Sequence, residues 1–258
     1  MTAAIGTRPP AHGLRILRVE VAEGLRAIVR EPTALFFSVL FPVGFYALFT
    51  TIFGGQQGFV AGLPYAATNL ATFGAFGVVS VMLMNPGTAV AEDRTRGWLR
   101  VKKVSAVPIG TTIAAKVIAA LPYAVAVMLA FSAVSLLVAG PVLEFGSWTR
   151  LMVALLVGSL PFALLSLAVG FVLSAGASAA VLNAVLLPMA VASGLWFPLE
   201  MMPPFVQNLA PLLPTYHLSR LALAQLTGAD AGVHVVALLI STAVAAALSG
   251  WAYRNLRV

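Results

Sequence analysis

Residues 32–91 contain no Asp, Glu, Lys or Arg, and further charge-free runs cover 117–143, 151–199, 201–219 and 231–253. A helix crossing a ~30 Å hydrocarbon core needs about 20 such residues. Soluble domains carry about 25% charged residues. This chain of 258 residues carries 9%, against 60% hydrophobic. Most of its exterior must therefore face lipid, which excludes a cytosolic enzyme, a nucleic-acid module and a disordered scaffold. The expected fold class is an all-α integral membrane protein forming a single transmembrane domain over 1–258.

Turn-rich stretches divide the long runs. Gly54-Gly55-Gln56-Gln57-Gly58 with Gly62-Leu63-Pro64 cuts 32–91, and Ser174-Ala175-Gly176-Ala177-Ser178 cuts 151–199. Six spans are expected, at 34–53, 65–90, 117–139, 151–173, 179–197 and 232–252. Residues 199–227 are apolar but hold Pro203, Pro204, Pro211 and Pro214, which remove backbone donors and oppose a crossing. They are expected as short re-entrant or outer helices. With six spans the termini share one side, and every Lys and Arg except Arg150 and Arg220 falls there. The positive-inside rule makes that side the cytoplasm, so the net charge of +7 reflects membrane orientation and not nucleic-acid binding. A charged N-terminal segment precedes the first apolar run, so a removable signal peptide is not expected. Residues 13–30 place Leu14, Leu17, Val21, Leu25 and Ile28 on one face, with Arg15, Arg18, Glu23, Arg26 and Arg30 around it. That pattern predicts an amphipathic interfacial helix.

The chemistry available is limited. With no cysteine there is no thiolate nucleophile or cysteine metal site. The three histidines are scattered and HExxH is absent, so no metal site is expected. All eight acids lie at the edges of the spans or outside them, which leaves an ion-coupled carrier without coupling groups. Ser178 and His234 loosely suggest an intramembrane serine protease, but they fall at opposite membrane edges, so no catalytic residues are assigned. A phosphate-binding loop needs Gly-Lys-Ser/Thr, and none of Lys102, Lys103 and Lys116 follows a glycine. Nucleotide energy would have to come from a partner.

Residues 91–116 form the densest charge cluster and are expected as a cytoplasmic loop. Glu92, Asp93, Arg94, Arg96, Gly97 and Trp98 combine both signs with an aromatic side chain, a composition suited to docking a soluble protein.

Three stretches resemble the permease subunits of ABC-2-type ATP-binding-cassette exporters. They are Arg30-Glu31-Pro32 leading to Phe41-Pro42; Glu92-Asp93-Arg94, Gly97, Leu99 and Ser105-Ala106-Val107-Pro108 up to Lys116; and Ser193-Gly194-Leu195-Trp196-Phe197-Pro198-Leu199-Glu200 with Pro203, Pro211-Leu212-Leu213-Pro214 and Thr215-Tyr216. They look like, respectively, the family's connecting helix, its coupling loop and its proline-rich signature after the fifth helix. The coupling loop departs from the commoner Glu-Arg-Glu…Gly-Thr wording, with Asp93 and Trp98 instead.

The resemblance implies two permeases, identical or homologous, in a bacterial plasma membrane, with two cytosolic ATPase subunits docked beneath. ATP and Mg would bind in those partners and no cofactor in this chain. It also implies that the second and fifth helices flank a central path. The second offers Asn69, Phe73, Phe76 and Ser80 on one face, and the fifth offers Asn183, Leu187, Ala190 and Gly194. Such an apolar path suits hydrophobic or amphipathic cargo of drug or antibiotic type, with export of a lipid or of a glycolipid or polysaccharide as the alternative. These residues can equally serve as helix packing. An intramembrane enzyme and a non-transporting scaffold are the competing classes.

Overall fold

A computed structural model describes residues 18, 19, 21, 22, 26, 32–54, 62–104 and 109–255. Every extended element among them is helical: α1 (Pro32–Phe53), α2 (Tyr65–Thr95), α3 (Trp98–Val104), α4 (Ile109–Val138), α5 (Phe145–Gly158), α6 (Leu160–Val172), α7 (Ala175–Ala192), α8 (Pro204–Leu209), α9 (Pro214–Thr227) and α10 (Gly232–Arg254), with single 3-10 turns at Leu199–Met201 and Ala210–Leu212. Among the described residues, five helices are long and apolar enough to cross a membrane: α2, α4, α5 with α6 as one rod, α7 and α10. α1 has 22 residues and stands where the first expected span falls.

α2 is the axis. It packs against α1, α4, α6, α7 and α9, and nearly all its residues from Tyr65 to Leu83 are buried. Such enclosure needs small residues at the crossings, because lipid supplies no hydrophobic push between helices. A Cβ on Gly77 would sit 2.5 Å from the Phe131 ring of α4, and one on Gly74 would sit 2.7 Å from Met128 Sδ. The closest approach joins α2 to α6, where a Cβ on Gly170 would run into the Gly87 carbonyl. Pro86 lies within α2, and the next amide, Gly87 N, donates to Ser166 Oγ at 2.7 Å. α6 in turn carries α10 on another face. Leu239, Ile240, Val244 and Leu248 of α10 are all exposed, the large apolar surface expected of a lipid-facing helix.

Several boundaries differ from the sequence expectation. The 91–116 segment is largely helical: α2 continues to Thr95, α3 follows, and α4 begins at Ile109. Charge marks contact with water and does not forbid helix. The fourth expected span, 151–173, begins earlier and breaks at Ser159, where Pro161 in the first turn of α6 removes a helical donor. The fifth, expected at 179–197, is Ala175–Ala192. It starts with Ser174 Oγ accepting from Ala177 N at 3.4 Å and stops before Gly194, whose φ of +73° no helix accommodates. Residues 199–227 form short helices, and the 14-residue α9 is too short to cross. Of the interfacial helix expected at 13–30, Arg18, Val19, Val21, Ala22 and Arg26 have helical backbone; the rest lies outside the described residues, as does the 105–108 turn.

Gly170→Ala should destabilise the protein by about 1–3 kcal/mol through overpacking. Gly250→Ala, with nothing within 4 Å of its added Cβ, should leave stability unchanged or slightly raised. Thermal unfolding of the two variants in detergent checks this.

Candidate functional site

The charged end of α2 divides into residues that face inward and residues that face out. Asp93 forms an ion pair with Lys116 of α4, Nζ to Oδ2 2.8 Å, with both side chains largely shielded. Arg94 Nη1 donates to the Phe171 and Val172 carbonyls at 2.8 and 2.6 Å. Those are among the last carbonyls of α6, which lack helical donors and carry the negative end of the helix dipole. A guanidinium meets both needs, so Asp93 and Arg94 fasten α2 to α4 and α6.

Glu92 and Arg96 pair one turn apart at 3.3 Å and are open to solvent. Gly97, at φ +79°, ends α2 in the left-handed conformation, and α3 starts at once. Leu99 is fully buried and seats α3, whereas Trp98 and Val101 are 56% and 50% exposed. Arg100 is exposed beside them. The result is an amphipathic knob at the end of the central helix, anchored by Leu99 and presenting an indole, a valine and two guanidinium groups outward.

The second group of expected residues is not brought together within the chain. Asn69 is buried and donates to Thr50 Oγ1 of α1 at 2.9 Å. Phe73 and Phe76 are buried in an aromatic cluster: Phe73 lies 5.8 Å from Phe49, and Phe76 meets Trp196 edge-on at 5.0 Å. Ser80 Oγ bonds back to the Phe76 carbonyl at 2.7 Å. On α7, Ala190 is buried, Leu187 is exposed, and the exposed Asn183 donates to Ala179 O of its own helix at 3.0 Å. The two sets of steps are alike in sequence, yet only the α2 face is enclosed by this chain.

Asn69 and Gly194 do share a small cavity, with about 50 Å³ of free space, between the first turns of α2, the 193–200 turn and α9. Tyr65, Trp196 and Phe197 form its aromatic walls, and Thr68, Thr72, Ser193 and Ser219 its hydroxyls. Arg220 and Glu200 stand at its lining, Nη2 to Oε1 3.3 Å. The turn is pinned because the Ser193 and Thr215 hydroxyls share a short hydrogen bond. The sequence marked Gly194 and Asn69 but not Arg220, Glu200 or Trp196 as their neighbours; the proline-rich turn that folds them together was the available signal. A pairing of His217 with His234, at 3.0 Å, had no such signal, since the two lie in separate elements.

An enclosed central helix that ends in a water-facing helical knob, within an all-α bundle of apolar spans, defines a membrane-embedded protein. The family model described as ABC-2 type transporter matches residues 17–227, and the chain belongs to that family. A relative in Bacillus subtilis (strain 168), named "Putative transport permease YvfS", is 22% identical over 208 residues, covering 79% of this chain and 82% of its own length.

Arg94→Ala should cost roughly 1–3 kcal/mol of stability, because it strips hydrogen bonds from two helix-terminal carbonyls. Arg96→Ala should cost about 0–1 kcal/mol, as expected for an exposed pair. Unfolding of both variants side by side measures the difference.

Proposed function

We propose that this chain is the membrane permease subunit of an ATP-driven exporter, powered by a separate cytosolic ATPase. The observation that carries the reading is α3: an exposed Trp98–Val101 face on a buried Leu99 anchor, in a chain whose sequence has no phosphate-binding loop. Exposed aromatic and arginine side chains on a rigid element are what a partner surface uses. Family membership and the relative's name support the permease reading. ATP and Mg bind in the ATPase. Two permeases pair, with two ATPases below, and α1 supplies the sixth crossing so that both termini lie in the cytoplasm of a bacterial cell.

In this arrangement α3 lies inside and the 199–227 segment outside. Glu92, Arg96, Gly97 and Trp98 serve the docking face. Asp93 and Arg94 pass its movement to α4 and α6 through their intramolecular bonds. The exposed α7 face carrying Asn183 and Leu187 turns toward the paired permease and the path between the two subunits. Cargo is amphipathic or hydrophobic, of drug or antibiotic type. Polar groups pause against Asn69, Ser193 and the Arg220–Glu200 pair, while apolar portions lie against Tyr65, Trp196 and Phe197, with Phe73 and Phe76 packed behind them.

The test is co-expression with each ABC-type ATPase of the same genome, followed by co-purification in detergent. The wild-type chain should retain one of them. Trp98→Ala combined with Val101→Asp should lower retention at least tenfold while leaving the thermal unfolding of the chain itself unchanged. Equal retention by the variant would remove α3 as the docking element, and no retention by the wild type would remove the exporter reading itself.

A further inference from the structure

Two imidazoles fasten α9 to α10. His217, in the first turn of α9, sets its Nδ1 3.0 Å from Nδ1 of His234, in the first turn of α10. The Nε2 of His217 lies 2.9 Å from the Pro211 carbonyl. A carbonyl only accepts, so His217 carries its hydrogen on Nε2. In neutral His217 the Nδ1 is then a bare acceptor, and His234 must donate from its own Nδ1. One contact to a backbone oxygen thus fixes both tautomers.

The protonation capacity follows. A first added proton goes to His234 Nε2 and leaves the bond between the rings intact. A second falls on His217 Nδ1, setting two N–H donors and two positive charges against each other at the contact. The closed pair therefore takes up one proton, whereas the separated rings take up two. Among the described residues, no group of three His, Asp or Glu is placed to hold a metal. At 3.0 Å the two Nδ1 atoms stand at hydrogen-bond distance, which favours a proton over a metal ion between the rings.

The surroundings are defined on each side. The Tyr216 ring stands edge-on to both imidazoles, at 5.4 and 5.9 Å. Arg220, one turn further along α9, lies over the Tyr216 ring at 5.3 Å and pairs with Glu200 of the 3-10 turn. Asp230, in the connection to α10, accepts from Gly232 N at 2.9 Å. Arg220 and Asp230 are the charged side chains within electrostatic reach of His234. Toward α5 the contact is apolar, with Gly158 against Leu218 and Leu238.

We infer that His217 and His234 form a one-proton latch that holds α9 against α10 beside the outer cavity and releases when both rings are protonated. α9 supplies Ser219, Arg220 and Leu223 to that cavity, so release loosens one of its walls. Acidity on the side where 199–227 lies thereby reaches the cavity. The outer placement rests on the proposed topology; the pairing does not. Separation takes up one proton more than closure, so closure weakens as the pH falls.

The chain has three histidines, so His12→Gln leaves only this pair for ring-¹⁵N NMR in lipid nanodiscs. At pH 8 one ring should show the Nδ1–H tautomer and the other the Nε2–H tautomer. Titration should give two steps more than one pH unit apart, and His234→Gln should reduce His217 to a single step. In parallel, the wild type should melt above His217→Gln at pH 7.5, with the gap gone by pH 5. Two Nε2–H rings titrating independently, or a melting gap that ignores pH, would overturn the latch. A spectrum that changes on adding EDTA would assign the pair to a metal ion and overturn it as well. Should His217→Gln fail to fold, the wild-type tautomers decide the matter alone.

Discussion

The contact of backbone with backbone between α2 and α6 at Gly87 and Gly170 is the constraint on which the rest of the bundle depends. Two helices this close cannot slide or rotate past each other without collision, so they act as one rod. Ser166 Oγ accepting from Gly87 N and Arg94 capping the α6 carbonyls fasten the same pair at two further heights. A lone helix in lipid satisfies its own backbone, so these three bonds fix the relation between helices and not the helices themselves. α10 packs on α6, and α4 and α1 pack on α2.

From that rod the two ends of the site follow. With 31 residues, α2 is about 46 Å long at 1.5 Å per residue, well beyond a ~30 Å hydrocarbon core. Its surplus carries the charged turns and hands directly to α3, so α3 is attached to the most enclosed helix in the protein. Its other end opens on the cavity walled by Tyr65, Trp196 and α9. In the proposed reading, a push on Trp98 travels along α2, through the Asp93–Lys116 pair into α4 and through Arg94 into α6.

Much of this is legible in the sequence, and the losses have identifiable causes. Charge-free runs and turn residues pointed to the five apolar helices long enough to cross, because water and lipid sort residues before any packing does. The same logic read 91–116 as a water-facing loop with a helix-capable first half, and mixed charge around Trp98 reports that solvent without placing the helix ends at Thr95, Val104 and Ile109. It also missed that Asp93 and Arg94 turn inward, since their partners, Lys116 and the Phe171 and Val172 carbonyls, are distant in sequence. Asn69 and Asn183 share a stepping pattern, but burial of one and exposure of the other depends on which neighbours surround each helix. The histidine pair required knowing that α9 folds back on the first turn of α10, and a proline-rich segment encodes bends without their direction.

The central claim is that α3 and the aromatic-walled cavity lie on opposite faces of the membrane, joined by α2. Because the chain has no cysteine, it can be tested with single substitutions at two exposed positions, Trp98→Cys and Gln207→Cys, and a membrane-impermeant thiol reagent applied to intact cells. The account predicts that Gln207→Cys reacts at once and that Trp98→Cys reacts only after the membrane is permeabilised. Reaction of both from the same side would contradict it.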